Sequence, residues 1–283
     1  MSKILLFGKN GQVGSELTRF LSSFNLIALG RQDVDVLDRG AVSKVFDDTF
    51  PQIVINTVAY NDVDGAELHP DLAMQLNVQA NEFLARLSAK HNAVYITFSS
   101  DFVFDGKKRT PYFESDEPKP INQYGKSKFM GEVAVQESGS KPMIFRTSSV
   151  YSLHRPCFLT KIIQQAKEKS EISVRADLIN CPTSAQFIAR VIASLVQRHG
   201  PDLQYFTGLY HLCSSGCTSR YQWAEAIQKK MNLDVRIVPL DDFPQTGAPR
   251  PAYTVLSNEL FQRTFEMEIP AWDDMLYDLL DGG

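Results

Sequence analysis

Short apolar runs alternate with helical stretches through the first 150 residues, and this alternation constrains the fold more than any other feature. The apolar runs predict strands at 3–8, 25–30, 52–57, 93–98 and 142–147. The segments after the first run and at 39–49, 70–90 and 123–138 predict helices. Strands that alternate with helices form a parallel sheet with helices on both faces, and strands this apolar suit a buried parallel sheet.

The pattern loosens beyond residue 150. Helices are predicted near 156–169, 184–199 and 218–231, and strands at 171–176, 208–213 and near 234–238. We therefore expect an α/β protein in which residues 1–150 form a Rossmann-like, doubly wound domain, to which a segment near 177–212 returns. Residues 151–283 would form mainly a smaller substrate-binding lobe that closes over the carboxyl edge of the sheet, where open α/β sheets bind ligands.

Three glycines lie between the first strand and the first helix. Gly8, Gly11 and Gly14 have the spacing G-x-x-G-x-x-G. Glycines at such a turn let the backbone bend sharply, let a pyrophosphate approach and let the helix pack on the strand, and the helix N-terminus then faces the phosphates. The alternative is that they only close a loop. The order strand, glycine turn, helix favours NAD(P) binding, with contacts also from Gln12 and Val13.

The end of the second strand bears on the choice of cofactor. It reads Gly30-Arg31, without a carboxylate to take the ribose hydroxyls. An arginine there suits the 2′-phosphate of NADPH, although Arg31 could instead be solvated. We expect NADPH, with NADH as the second candidate. Further cofactor contacts are expected near the ends of the second and third strands, at Asp35, Val36, Val58, Ala59 and Tyr60.

Tyr124 and Lys128 are the candidate proton-transfer pair. They lie four residues apart in Gln-Tyr-Gly-Lys-Ser-Lys (123–128), so a phenol and an ammonium share one helix face. A free tyrosine titrates near ~10, and a lysine cation beside it favours the phenolate and lowers that pKa. The same spacing also occurs on helix surfaces without any catalytic role. The glycine turn favours the catalytic interpretation here.

Charge and composition narrow the class of partner. The net charge is −4 and the pI is near 5.8, which argues against nucleic acid and membrane surfaces. No stretch approaches the ~20 apolar residues of a membrane span, and no signal peptide precedes the first strand. We therefore expect a cytoplasmic protein with small-molecule partners. The cysteines are interpreted as reduced structural thiols rather than zinc ligands: Cys157, Cys181, Cys213 and Cys217.

These motifs resemble those of the extended short-chain dehydrogenase/reductases, and among them the dTDP-4-dehydrorhamnose reductase family. The resemblance is carried by the stretches 5–14, 56–67, 99–106, 120–132, 208–212 and 250–256. It implies a catalytic triad of Ser100, Tyr124 and Lys128, with serine where that family has threonine. Tyr124 would protonate the substrate oxygen as hydride arrives, Ser100 would hold that oxygen, and Lys128 would lower the tyrosine pKa and bind the nicotinamide ribose.

The resemblance also implies contacts with a sugar nucleotide. It points to Val63 and to Arg250, whose guanidinium fork suits a diphosphate. Arg250 lies in the proline- and glycine-rich loop 243–251, and the alternative is a solvated charge.

Three more residues border the expected site. Asp101 and Asn122 are candidate substrate contacts, with a capping or turn role as the alternative. Ser149 stands where the family often has a tryptophan that packs against the substrate. The exact sugar is therefore left open.

Some members of the family bind Mg²⁺ through glutamates at a homodimer interface. Glu16 fits the first of these positions, but Gln186 stands where a second carboxylate is expected. Because Mg²⁺ prefers charged oxygen ligands, we expect this site to be weak or absent, and we list no metal ligands. A homodimer is compatible with the resemblance.

The resemblance implies a reductase that converts dTDP-4-dehydro-L-rhamnose, or a close dTDP-4-keto-6-deoxy sugar, to dTDP-L-rhamnose in nucleotide-sugar and cell-surface polysaccharide biosynthesis. Two alternatives stay open. One is a nucleotide-sugar epimerase or dehydratase on the same scaffold, and the other is a non-catalytic regulatory subunit of the same fold.

Overall fold

The computed structural model describes residues 2–240 and 247–282, so part of the loop 243–251 lies outside the described residues. The strands are β1 Lys3–Phe7, β2 Asn25–Leu29, β3 Ile53–Asn56, β4 Val94–Ser100, β5 Lys141–Thr147, β6 Val150–Tyr151, β7 Glu171–Arg175, β8 Ile179–Asn180, β9 Thr183–Ser184, β10 Gly208–His211, β11 Thr218–Ser219 and β12 Arg236–Leu240.

The α-helices are α1 Gln12–Phe20, α2 Arg39–Thr49, α3 Val63–Leu68, α4 Pro70–Met74, α5 Asn81–Lys90, α6 Gln123–Gln136, α7 Phe158–Ala166, α8 Ala185–His199, α9 Arg220–Lys230, α10 Glu259–Phe265 and α11 Trp272–Leu280. A π-helical turn, Gln75–Ala80, joins α4 to α5, and 3-10 turns cover Asp101–Val103 and Gly200–Phe206. None of the helices in the described ranges is long and apolar enough to cross a membrane.

A six-stranded parallel sheet lies at the centre, in the order β10-β5-β4-β3-β1-β2. Alternate residues of each strand are buried on opposite faces, as in β1, where Ile4 and Leu6 join one core and Leu5 and Phe7 join the other. Helices α1, α8 and α10 cover the first face, and α2, α5 and α6 cover the second. The predicted Rossmann-like sheet is confirmed.

A separate apolar core lies in the later part of the chain. It joins α7, α9 and α11 to the parallel pair β7 and β12, around Trp223. By contrast β10 is a strand of the central sheet, and α8 packs against α1. These contacts do not test the division into a domain of residues 1–150 and a lobe of residues 151–283, which stays a prediction.

Two local features were not predicted. The helix α3 follows β3, and Asp62 caps it by accepting a hydrogen bond from the backbone N–H of Gly65 at 2.9 Å. The helix expected over 70–90 contains the π-helical turn, in which each backbone bond spans one residue more than in an α-helix. Helical periodicity alone does not reveal such a turn.

The π-helical turn holds Asn77 against two other segments. The side-chain amide of Asn77 donates to Ser127 Oγ of α6 at 2.8 Å, and its Oδ1 accepts from the backbone N–H of Tyr60 at 2.8 Å. A Cβ at Gly131 of α6 would overlap the Asn77 carbonyl oxygen, so this glycine permits the close approach. The loop after β3 and the helix α6 are thereby fixed to each other.

Candidate active site

A cavity of about 310 Å³, which we call the inner cavity, opens at the carboxyl ends of β3, β4 and β5. It brings together most of the residues singled out in the sequence, although they come from five separate stretches of the chain. The predicted residues that line it are Gly11, Gln12, Val13, Val58, Ala59, Val63, Ser100, Asp101, Tyr124, Lys128 and Ser149.

A second cavity of about 330 Å³, the lateral cavity, lies beyond the ends of β1 and β2. Predicted residues line it as well: Gly8, Arg31, Asp35, Val36, Val58, Ala59 and Tyr60. Because Val58 and Ala59 line both cavities, the two form one cleft along the carboxyl edge of the sheet. Gly14, Asn122 and Arg250 line neither.

The glycine turn is closely packed. Gly8 has a φ of +91°, in the left-handed region that favours glycine. A Cβ at Gly14 would overlap the Gly8 carbonyl, whereas a Cβ at Gly11 would meet only the Gly8 oxygen, at 3.4 Å. No side chain caps the N-terminus of α1, and Gln12 Oε1 is buried without a hydrogen-bond partner among the described residues. These features fit a bound NAD(P). The uncapped N-terminus of α1 suits its pyrophosphate, and the unpaired Gln12 Oε1 suits the carboxamide of its nicotinamide ring.

Tyr124 and Lys128 lie one turn apart on α6, and both are buried. Lys128 Nζ donates a hydrogen bond to the Phe98 carbonyl at 2.7 Å. Burial lowers the pKa of Lys128 to about 8, and the Glu132 carboxylate partly opposes that shift. The Lys128 ammonium therefore loses its proton at a lower pH than a free lysine does.

The sequence predicted a lowered pKa for Tyr124, and the structure corrects this. Burial raises the pKa of Tyr124 to about 12, while a hydrogen bond with Ser100 partly opposes the rise. Desolvation penalises the phenolate more than the neighbouring groups favour it. The phenol is therefore protonated at neutral pH, the state that a proton donor requires.

Asp101 is a buried carboxylate behind Ser100. It accepts hydrogen bonds from Ser100 Oγ at 3.1 Å, Ser148 Oγ at 2.8 Å and Thr254 Oγ1 at 2.5 Å. Burial raises its pKa, and these three donors partly oppose the rise. Its side chain thus joins the ends of β4 and β5 to the segment that contains Thr254, rather than capping a helix.

Asn122 is the N-cap of α6. Its Oδ1 accepts from the backbone N–H of Gly125 at 2.7 Å, and its Nδ2 donates to the Pro249 carbonyl at 2.8 Å. Asn122 therefore has the capping role that was considered as the alternative to a substrate contact. The second bond ties the start of α6 to the loop that carries Arg250.

A third and larger cavity, about 780 Å³, lies on the outer side of the site, and we call it the outer cavity. Arg250 lines it and is ion-paired with Asp64 through two contacts of 2.7 Å. The Arg250 hydrogen bond holds the pKa of Asp64 at about 2. Arg250 is therefore a paired charge and not a freely solvated one.

Sequence reasoning missed three cationic residues of the outer cavity: Lys161, Arg175 and Arg220. They come from α7, from β7 and from the first residue of α9. No motif connects these positions, so only the fold places them together. Arg220 lines the inner cavity as well.

Ser149 lines the inner cavity with an unusual backbone. Its φ is +41°, in the left-handed region that residues with a Cβ seldom adopt. Such a conformation costs of order 1–3 kcal/mol and persists where the surroundings enforce it. Ser149 therefore contributes only a small side chain to the lining of the inner cavity, and its position is fixed by the backbone conformation.

The magnesium site that the resemblance implied has no support in the described residues. Glu16 is held by Arg19 of its own helix, with Arg19 Nη2 at 2.9 Å from its Oε2. Gln186 is buried in α8. No group of three or more His, Cys, Asp or Glu side chains within residues 2–240 and 247–282 is placed to hold a metal ion.

Comparison with known proteins places these features in a family. The family model described as the RmlD substrate binding domain matches residues 2–282. The dTDP-4-dehydrorhamnose reductase of Burkholderia thailandensis is 36% identical over 286 residues, which cover 95% of this chain and 95% of the relative.

Solved structures agree. A dTDP-4-dehydrorhamnose reductase from Clostridium acetobutylicum superposes with a TM-score of 0.92 at 32% identity, covering 99% of this chain and 98% of its own. The dTDP-4-dehydrorhamnose reductase of Bacillus anthracis in complex with NADP also superposes with a TM-score of 0.92, at 29% identity and with 99% of both chains covered.

Proposed function

This chain belongs to the RmlD family of dTDP-4-dehydrorhamnose reductases, and we propose that it reduces the 4-keto group of a dTDP-linked 6-deoxy sugar, namely dTDP-4-dehydro-L-rhamnose, to the alcohol. It is an oxidoreductase that uses a nicotinamide cofactor. The observation that carries the proposal is the inner cavity, where a buried, protonated Tyr124 lies with Ser100 and Lys128 beside the glycine turn.

The nicotinamide, when bound, supplies the hydride that reaches the carbonyl carbon. The residues of the chain manage the charge and the proton on the oxygen. Tyr124 donates its phenolic proton to that oxygen, and the Ser100 hydroxyl holds the oxygen in place by a hydrogen bond. The Lys128 ammonium then stabilises the phenolate that Tyr124 becomes, before solvent returns the proton.

An extended dinucleotide would occupy the cleft formed by the inner and lateral cavities. The glycine turn and the N-terminus of α1 would take the pyrophosphate, and the lateral cavity would take the adenosine end. Arg31 lines that cavity and is exposed. Asp33, two residues after Arg31, is engaged with Lys9 at 2.7 Å and with the backbone N–H of Gly30 at 2.7 Å. Asp35, which lines the cavity, accepts a hydrogen bond from the backbone N–H of Leu37 at 3.0 Å. An exposed arginine without an ion pair among the described residues, beside carboxylates that already accept hydrogen bonds, favours NADPH over NADH.

The experiment that tests the function is the oxidation of NADPH and NADH with enzymatically generated dTDP-4-dehydro-L-rhamnose, with the product identified by mass spectrometry and NMR. Tyr124→Phe is expected to bind the cofactor normally and to lose at least ~10²-fold in turnover. Tyr221→Phe is the matched control, since Tyr221 is bonded to Glu225 on the surface of α9.

Two results would refute the proposal. Near-normal turnover by Tyr124→Phe would remove the proton-donor role. Protein that binds NADPH but reduces no 4-keto sugar nucleotide would remove the function itself. Turnover with stoichiometric bound cofactor and none added would instead indicate an epimerase or dehydratase.

A further inference from the structure

Arg220 occupies the junction between the inner and outer cavities. It is the first residue of α9, and its guanidinium lies over the Phe158 ring, 5.3 Å from the ring centroid. Within the part of the chain that the structure describes, Arg220 is the one residue that lines both cavities. A ligand that extends from one cavity into the other must pass this side chain.

Arg220 forms no ion pair with any of the described residues. Three arginines line the outer cavity, and two of them have carboxylate partners: Arg250 with Asp64, and Arg175 with Asp177. Arg220 has no such ion pair within the described ranges, and its Nε is buried without a hydrogen-bond partner there. Arg220 is half-buried, and a buried N–H donor of a charged group is costly to leave unpaired, so the geometry points to an anionic ligand.

The surroundings of Arg220 sharpen this conclusion. Burial lowers its pKa, and the charges of Arg250 and Arg175 lower it further, while Asp101 opposes them. A guanidinium nevertheless keeps its proton at neutral pH. An anion at the junction would relieve the repulsion among the arginines and also accept a hydrogen bond from the unpaired Nε–H of Arg220.

We propose that Arg220 binds the sugar-proximal phosphate of the nucleoside diphosphate sugar and thereby fixes the distance between the nucleoside and the reacting ketone. This rests on the proposed function, which places the ketone beside Tyr124 in the inner cavity. The outer cavity, at about 780 Å³, is the larger space and receives the nucleoside. The diphosphate is the group that separates these two ends.

Arg220 rather than Arg250 is assigned to this phosphate for two reasons. The guanidinium fork of Arg250 is occupied by both carboxylate oxygens of Asp64. Arg250 also does not line the inner cavity, so it does not reach the point where the ligand turns toward Tyr124. Arg220 acts on binding, so its loss is expected to raise the substrate KM while kcat changes little.

The test is isothermal titration calorimetry of the NADPH-loaded full chain with dTDP and with dTMP, which lacks the sugar-proximal phosphate. Arg220→Gln is expected to weaken dTDP binding about 10- to 100-fold, as for the loss of charge-assisted hydrogen bonds, and to leave dTMP binding unchanged. Arg220→Lys keeps the charge but not the forked pair of donors. Its affinity for dTDP is expected to lie between those of the wild type and Arg220→Gln. Arg190→Gln, which removes a surface arginine paired with Asp278, is the matched control.

Equal affinities of wild type and Arg220→Gln for dTDP would overturn the assignment, and so would an equal loss for dTDP and dTMP. If Arg220→Gln does not fold, the same comparison is made with Arg220→Lys, and undiminished dTDP affinity in that variant overturns the bidentate contact. If the wild type binds UDP instead of dTDP with the same dependence on Arg220, the assignment stands and the thymidine-sugar function fails. If the wild type reduces the dTDP sugar but Arg220 has no effect on binding, the function stands and the assignment fails.

Discussion

Removing one partner of the buried Glu132–Arg146 pair should destabilise the fold strongly. Glu132 on α6 and Arg146 on β5 are 3% and 2% exposed, and the guanidinium meets both carboxylate oxygens, at 2.9 and 2.7 Å. Arg146 also lies over the Phe104 ring at 5.0 Å. In Glu132→Leu the guanidinium would stay buried without its counter-charge, which costs about 3–5 kcal/mol.

This cost is large enough to measure without ambiguity. A change of 1 kcal/mol moves the midpoint of thermal unfolding by about 2–4 °C in domains of 150–250 residues, so we expect a decrease of roughly 6–20 °C. The double variant Glu132→Leu/Arg146→Met removes both charges and keeps the volume, so its stability should return to within about 1 kcal/mol of the wild type. Asp48→Asn breaks an exposed pair with Lys44 and should leave the midpoint unchanged.

The assay is thermal and urea-induced unfolding, followed by circular dichroism at fixed protein concentration and without cofactor. The reasoning is refuted if Glu132→Leu unfolds at the wild-type midpoint. It is equally refuted if the double variant is as unstable as the single one, since the lost packing rather than the unpaired charge would then be the cause.

Three further predictions concern the cleft. Because burial lowers the pKa of Lys128 to about 8, kcat/KM for reduction should fall as the pH rises through that value and the ammonium is lost; a profile that stays level to pH ~10, the range of a free lysine, would contradict the role of Lys128. Gly14→Ala should unfold at a clearly lower temperature than Gly11→Ala, since the methyl group at position 14 would overlap the Gly8 carbonyl whereas that at position 11 would meet its oxygen at 3.4 Å, and equal melting temperatures would contradict the packing described. Arg31→Ala should raise the KM for NADPH more than that for NADH, and equal increases would remove Arg31 from 2′-phosphate recognition.

The sheet could be predicted from the sequence because its signal is local. Each strand is a short apolar run, and the connections between them have the length of helices, so order and orientation follow from general rules. The glycine turn and the Tyr124/Lys128 pair are local as well, since each is contained in a short stretch of the sequence. The structure places both in the same cleft.

The remaining features depend on contacts between distant segments. The capping box at Ser219 marks the start of α9, but nothing in the sequence indicates that Arg220 faces two cavities. The pKa of Tyr124 is set by burial, which the spacing to Lys128 does not reveal. The partner of Arg250 is Asp64, 186 positions away. Such pairings appear only when the chain has folded.

The position of β10 at the edge of the central sheet has a consequence for how the protein is made. A nascent chain that has reached residue 150 contains five strands of the sheet, but the edge of β5 is still unpaired and the face that α8 covers is still open. Unpaired strand edges and uncovered apolar faces make partly synthesised chains prone to aggregate. The sheet is therefore completed only after β10, near residue 211, has been synthesised, and a pause ahead of that point would leave the open edge and face exposed for longer.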